Sequence, residues 1–290
     1  MAVAQQPQEQ QTQSKIPTKR IILWLGVISL LVFCLAPALW QLLTSFKTND
    51  AIATIPTIYF PNLSELTFNH YITLGWNFLR YVFNSALVSV ISTVICLGVG
   101  APAAYTLARL NIPGKQIILS CVLVVSLFPY VLLFLGLLEL VKYFGLGNNY
   151  ISLIIPYTAI NLPLTILVLR SFFLQLPKDL EDSAKIDGYR TVPMLLQIVL
   201  PLTLPALVTT GMLAFIFAWN EFIFALTFIT KDEMLTIPVK VAQIGGASVY
   251  EIPYGPIAAA TVLGTIPLIL LVLFFQRRIV QGITAGAVKG

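Results

Sequence analysis

The chain has 290 residues, 58% of them hydrophobic and only 10% charged, with a mean hydropathy of +0.88. A soluble domain of this length buries its core with far less apolar content, so the composition excludes an ordinary soluble protein. The net charge of +5 does not point to nucleic acid, because the basic residues are scattered at the edges of apolar segments and form no phosphate-binding stripe.

The chain opens with a Gln-rich run, AQQPQEQQTQSK, that has almost nothing to bury, and residues 1–20 read as a disordered tail. The apolar run behind it is too long for a signal-peptide core and lacks a small-residue cleavage site. Six apolar runs follow: Ile21 to Phe46, Tyr81 to Leu107, Gln116 to Leu138, Tyr150 to Phe173, Leu202 to Phe228 and Tyr254 to Phe275. Each suits a bilayer crossing, which takes about 20 apolar residues. The runs are continuous and do not alternate in steps of two, which predicts an all-α polytopic membrane protein with six transmembrane helices and excludes a barrel. Pro37, Pro129, Pro163 and Pro267 fall inside these runs, where neighbouring groups can re-satisfy the freed backbone. The resulting plan is a tail (1–20), a first transmembrane helix (21–46), an external loop (47–79), a core (80–276) containing a cytoplasmic loop (175–201), and a C-terminal tail (277–290).

Orientation follows from Lys and Arg. With the N-terminus inside, that side holds twelve of the 17 basic residues: Lys15, Lys19, Arg20, Arg109, Lys115, Arg170, Lys178, Lys185, Arg190, Arg277, Arg278 and Lys289. The other side holds five, namely Lys47, Arg80, Lys142, Lys231 and Lys240. The positive-inside rule then places both termini in the cytoplasm.

Little in the chain offers catalysis. Cys34, Cys96 and Cys121 all lie in apolar runs and read as small buried hydrophobes. His70 is the only histidine, which leaves no parts for a histidine metal site or a Ser-His-Asp triad. No G-x-x-x-x-G-K-[ST] occurs, so the chain has no phosphate-cradling loop of its own. A non-catalytic chain without bound metal or cofactor is expected.

The segment Arg170 to Arg190 breaks the apolar pattern. Its four acids (Asp179, Glu181, Asp182, Asp187) and four bases (Arg170, Lys178, Lys185, Arg190) nearly cancel, so it is no lipid-headgroup patch. Pro177 suits a helix start, and Asp179, Glu181 and Asp182 then fall in a first turn, where acids favour the macrodipole. Glu181, Ala184, Lys185 and Gly188 share one face by their spacing. Gly188 is placed to end the helix and to let it meet a second short helix, TVPMLLQIVL, closely.

This segment resembles the EAA loop of binding-protein-dependent ABC importer permeases, whose pattern is E-A-A, three residues, G, nine residues, I-x-L-P. Asp182-Ser183-Ala184 occupies the E-A-A place, Gly188 follows, and Ile198-Val199-Leu200-Pro201 closes the pattern. The departures are Asp182 and Ser183, with Glu181 next door. AYTLARLNIPGK (Ala104 to Lys115), FAWNEF (Phe217 to Phe222) and the tail QRRIVQGITAGAVKG (Gln276 to Gly290) are similar to the carbohydrate branch, the tail to the maltose-type second permease subunit. The resemblance implies the type I importer permease fold, a multi-pass place in a bacterial inner membrane, and a subunit that translocates a sugar, glycoside or polyol, such as a disaccharide or a glucosylglycerol-like solute. It further implies a second homologous permease, a cytoplasmic ATPase dimer holding ATP and Mg, and an external solute-binding protein. Glu181, Asp182, Ala184, Lys185 and Gly188 would form the ATPase-coupling loop, with Glu181 or Asp182 as its ion-pairing acid. Arg277, Arg278 and Lys289 would either reach the ATPase or form a frayed basic end.

Glu221 stands in the fifth run beside Asn220. An acid at mid-membrane costs about 2.5–3.5 kcal/mol on insertion scales, so it should face protein or a water-filled path. Asn220 and Glu221 either line a translocation path or tie helices together. Asn84, Tyr105 and Asn161 read as links between helices more readily than as ligand contacts, and Glu139 with Lys142, three apart, as an ion pair. The competing reading of the whole chain is an ATP-independent secondary transporter or channel for a small polar solute, which would group ionisable residues within the membrane.

Overall fold

The computed structural model describes residues 18–245 and 252–287, so the Gln-rich run and Lys289 lie outside the described residues. Every regular element among them is a helix. The order begins α1 (Thr18–Phe46), α2 (Asn49–Ala53), α3 (Asn69–Leu74), α4 (Phe78–Arg109), α5 (Lys115–Leu127), α6 (Phe134–Tyr143), α7 (Ile151–Gln175) and α8 (Lys178–Ile186). It continues with α9 (Thr191–Met194), a π-turn over Leu195–Val199, α10 (Leu200–Leu202), α11 (Leu204–Asn220), α12 (Ile223–Phe228), α13 (Ile237–Ala242) and α14 (Tyr254–Ala287).

Four helices, α1, α4, α7 and α14, are long and apolar enough to cross a membrane alone, and six crossings result if two bent pairs each count as one. The third expected span is one of these pairs. It breaks by 90° after α5, because Pro129 offers no N–H and holds Phe128 in extended backbone (ψ 132). The fifth is broken twice. Its first end bends by 82° at Thr203, just before Pro205, and its far end opens at Glu221, which is extended (φ −67, ψ 130) between α11 and α12. At the C-terminus, α14 runs on to Ala287, so the segment expected as a tail from 277 starts as helix.

The long helices pack through small residues. A Cβ on Gly100 of α4 would lie 2.7 Å from Thr165 Cγ2 of α7, and one on Gly211 of α11 would lie 2.9 Å from Leu97 Cδ1 of α4. Such close backbone approach is the usual basis of helix association in lipid. The apolar stretch of α1 buries nothing within the chain and presents its side chains outward. Cys96 is buried, while Cys34 and Cys121 face outward from the apolar helices, a correction to the buried reading of all three.

The two ends of the bundle are fastened differently. At the end carrying Lys47, Tyr81 and Lys240, the connection Ile229–Thr236 folds over α4. Asn84 donates to the carbonyls of Glu233 and Leu235 (both 2.9 Å), and Asn148 Oδ1 accepts from the N–H groups of Thr230 and Lys231. Lys47 is buried, its ammonium over the Trp40 ring and donating to the Ile58 carbonyl, and its own carbonyl is bonded by His70 Nε2 (2.8 Å). Glu139 and Lys142 form no ion pair; both are exposed, where holding two side chains together gains little.

Asp232 closes this cap by accepting from Lys240 Nζ (2.7 Å) and from the Tyr81 hydroxyl (2.6 Å). These bonds, from Lys240 first and Tyr81 second, hold its carboxyl below the usual carboxylate range. A depressed folded-state value contributes stability above the unfolded value, about 3.9, and the contribution is lost as pH falls through the folded one. The gap in thermal midpoint between wild type and Asp232→Asn should therefore stay constant from pH 8 to about pH 5 and close below about pH 4. A gap that closes between pH 5 and 7 would contradict this assignment.

Candidate functional site

Helix α8 forms where the charged segment predicts it. Pro177 precedes its first residue, Asp179 and Glu181 occupy the first turn, and Lys185 sits in the last. It ends in a Schellman arrangement. Gly188 takes a left-handed backbone (φ +85), its N–H donates to the Lys185 carbonyl (3.0 Å), and Tyr189 N–H donates to that of Ala184 (3.0 Å). A Cβ on Gly188 would meet nothing within 4 Å. The glycine serves the backbone angle and not, as expected, a close approach of two helices.

The expected shared face of α8 is split. Glu181 and Ala184 are buried against the membrane helices, whereas Asp182, Lys185 and Gly188 are exposed. Ala184 packs in an apolar cluster with Tyr105, Leu169, Phe173, Met194 and Val199. Glu181 reaches the end of α4: its Oε1 lies 2.8 Å from Arg109 Nε, off the hydrogen-bond axis, and its Oε2 accepts from the Tyr105 hydroxyl (3.2 Å). Asp182 instead pairs with Lys185 (2.9 Å) in the open, three residues along the same helix.

Arginines are exchanged between the C-terminal ends of α4 and α7. Arg109 of α4 donates through Nη2 to the Leu176 carbonyl that follows α7, and Arg170 of α7 donates to the Leu107 carbonyl of α4 (3.2 Å). Cations belong at helix C-termini, where carbonyls are unpaired and the dipole is negative. Arg109 therefore joins three elements: it ends its own helix, caps α7 and neutralises the acid of α8. The sequence identifies Arg109 and Arg170 only as inside cations and Tyr105 only as a link between helices. A cation closing the second apolar run is visible in the sequence. Its partner is not, because Arg109 and Glu181 lie on segments far apart in the chain.

Glu221 occupies the second break of the fifth span and is 5% exposed. Its carboxylate accepts from Phe224 N–H (2.9 Å), Ala225 N–H (3.2 Å) and the Tyr157 hydroxyl (2.5 Å). It thus supplies the first turn of α12 with acceptors that the helix itself lacks and ties that turn to α7. Asn220 is separated from it, exposed and bonded through Nδ2 to the Ile216 carbonyl of its own helix (2.8 Å). Arg277 is exposed on α14, while the side chain of Arg278 and all of Lys289 lie outside the described residues.

Comparison with known proteins agrees with this architecture. The family described as binding-protein-dependent transport system inner membrane component matches residues 96–285. The sulfoquinovosyl glycerol transport system permease protein SmoH of Agrobacterium fabrum is 40% identical over 262 residues, covering 90% of this chain and 91% of that protein. The trehalose/maltose transport system permease protein MalG of Thermococcus litoralis is 38% identical over 272 residues, covering 94% and 98%. A solved bacterial ABC transporter involved in the import of the acidic polysaccharide alginate superposes with a TM-score of 0.74 at 21% identity, covering 91% of this chain and 98% of that one. That last likeness shows the fold alone.

The Arg109–Glu181 pair makes a measurable claim. Removing one partner of a buried pair strands the other and costs about 3–5 kcal/mol, whereas replacing both with apolar groups is often close to neutral. Arg109→Met and Glu181→Leu should each lower the thermal midpoint of the detergent-solubilised protein markedly, and the double replacement should recover most of the loss. Additive losses in the double variant would show that the two side chains act independently.

Proposed function

The chain belongs to the family of binding-protein-dependent transport system inner membrane components, and we propose that it is the permease subunit through which an ATP-driven importer moves a hydroxyl-rich carbohydrate, glycoside or polyol. The relatives that match it along nearly its whole length carry sugar and glycoside names, which supports that solute class. In this reading a second, similar permease completes the pathway, an external solute-binding protein delivers the solute, and a cytoplasmic ATPase dimer holds ATP and Mg. Both termini and α8 face the cytoplasm, on the side carrying Arg109, Lys115, Arg170 and Arg190.

The observation that carries this reading is the fastening of α8. An exposed helix joined to the bundle only by flexible loops could bind an ATPase but could not push on the membrane helices. Here Glu181 and Ala184 seat α8 against α4 and α7, and Arg109 bonds to both neighbours of the joint. A displacement of α8 is then carried as rigid-body motion into the two long core helices. The outer side of the lever is free to meet the ATPase. It offers Asp182 for an ion pair, and Ile186 (86% exposed) as an apolar contact beside Tyr189.

Because Glu181 is committed inside the chain, Asp182 is the acid expected to reach the ATPase. In proteoliposomes holding the complete importer, Asp182→Ala with Ile186→Ala should reduce ATP-driven uptake at least tenfold and weaken co-purification of the ATPase, with the thermal midpoint unchanged. Gly188→Val, which forces a branched residue into a left-handed backbone, should lower coupled uptake with less loss of ATPase binding. Uptake and co-purification that survive the surface double variant would remove α8 from the coupling role.

A further inference from the structure

Irregular backbone at membrane depth persists only where it is buried in protein or lines a water-filled cavity. The break between α5 and α6 opens onto such a space, a cavity of about 510 Å³, within the roughly 300–1,000 Å³ range of small-molecule sites. Its walls include Ser126 from the last turn of α5, Phe128 and Tyr130 from the turn, Ala159 and Asn161 from α7, and Phe217 from α11.

Three features give this cavity a chemistry. Asn161, 8% exposed, donates through Nδ2 to the Tyr157 carbonyl (2.8 Å), and its Oδ1 accepts no hydrogen bond among the described residues. The Ala159 carbonyl lacks its helical donor, because the residue four positions on is Pro163, and at the end of α5 the Val124 and Ser126 carbonyls have no N–H donor among the described residues, whereas that of Val125 accepts from Phe128 N–H (3.2 Å). Acceptors therefore collect here without donors. The third feature is aromatic. Tyr130 and Phe217 meet edge to face (centroids 5.3 Å apart, 77°), and Phe217 is braced by Tyr157 (6.3 Å, 89°), the ring whose hydroxyl Glu221 holds. Among the described residues, no ionisable side chain other than the Tyr130 phenol lines the space.

We propose that this cavity is a solute subsite for an uncharged, hydroxyl-rich ring, with Asn161 Oδ1 and the unpaired carbonyls accepting from its hydroxyls and Phe217 and Tyr130 covering its C–H face; the proposal rests on the carbohydrate-permease reading. Surplus acceptors match a ligand rich in O–H donors, and aromatic faces match the apolar face of a saturated ring. Glu221 then acts as a positioning residue for the aromatic wall through Tyr157. A second cavity of about 500 Å³ between α4, α11 and α14 is lined almost entirely by aliphatic side chains and offers no comparable set of acceptors among the described residues.

The test uses the complete importer in proteoliposomes, with radiolabelled trehalose and maltose as probes, measuring uptake and ATP hydrolysis together. Asn161→Leu and Phe217→Ala should each lower uptake at least tenfold, leave ATP hydrolysis stimulated by sugar-loaded binding protein within twofold of wild type, and change the trehalose-to-maltose uptake ratio at least threefold. Phe217→Tyr, which keeps the ring, should retain most of the uptake. Unchanged uptake in the first two variants overturns the subsite while leaving the permease reading intact. A parallel fall in uptake and hydrolysis, with the sugar ratio unmoved, means that these residues only hold helices together and also overturns it. A wild-type complex that hydrolyses ATP but imports neither sugar, nor a glycosylglycerol or polyol offered in their place, defeats the carbohydrate reading itself, and the subsite with it.

Discussion

The end of the bundle that carries α8 depends on one buried guanidinium. Arg109 is 6% exposed at the end of α4, and three negative features converge on it: the C-terminus of its own helix, the Leu176 carbonyl after α7, and the carboxylate of Glu181. Any one of these alone would not offset the removal of a guanidinium from water. A buried ion pair does not stabilise simply by existing, since desolvation cancels much of its attraction. What it supplies here is register. Only one seating of α8 brings Glu181 to Arg109 and to Tyr105 while also placing Ala184 in the apolar cluster beneath. The reciprocal bond from Arg170 to Leu107 fixes α4 and α7 against each other at the same level.

The bundle divides into helices that run unbroken and helices that do not. α4 and α7 pass through the whole thickness, with Gly100 against Thr165 allowing them to pack closely. The third and fifth spans are interrupted, at Phe128–Pro129, Thr203 and Glu221. Each interruption exposes backbone groups that lipid cannot satisfy, so each must face protein or water. At Glu221 the protein supplies the remedy, with a carboxylate on two N–H groups. At Pro163 the unpaired group is the Ala159 carbonyl, and the neighbouring space is open.

How much of this is legible in the sequence follows the range of the interactions. Span existence is a local property of composition, and the six runs correspond to helical segments. The start of α8 at Lys178 and its end at Gly188 are readable because capping needs only a few neighbouring residues. The breaks are not, since Pro129 resembles Pro37, Pro156 and Pro267, and those three are absorbed within continuous helices. Nothing local distinguishes a proline whose freed carbonyl is tolerated from one that ends a helix. Glu221 is recognisable as an acid that must be satisfied, but its donors are not visible because they appear only once the helix opens. The sharing of one face by Glu181 and Lys185 fails for a related reason. Spacing of four places residues on adjacent positions of a helix, and the packed surface in this structure ends between them.

The lever and the cavity are connected through α7. This helix carries Tyr157, Ala159 and Asn161 at one level and Arg170 at another, and it ends one residue before the Leu176 carbonyl that Arg109 grips. From Asn161 to Leu176 is fifteen residues, about 22 Å of helix at about 1.5 Å per residue. No chain of intermediate side chains is needed to carry a displacement across that distance, because one continuous helix spans it. The two prolines of α7, Pro156 and Pro163, bracket Asn161 and remove two backbone donors there. The same helix is therefore stiff where Arg109 and Arg170 hold it and most easily bent beside the cavity. Under the proposed function, motion applied at α8 would be expressed where the acceptors lie.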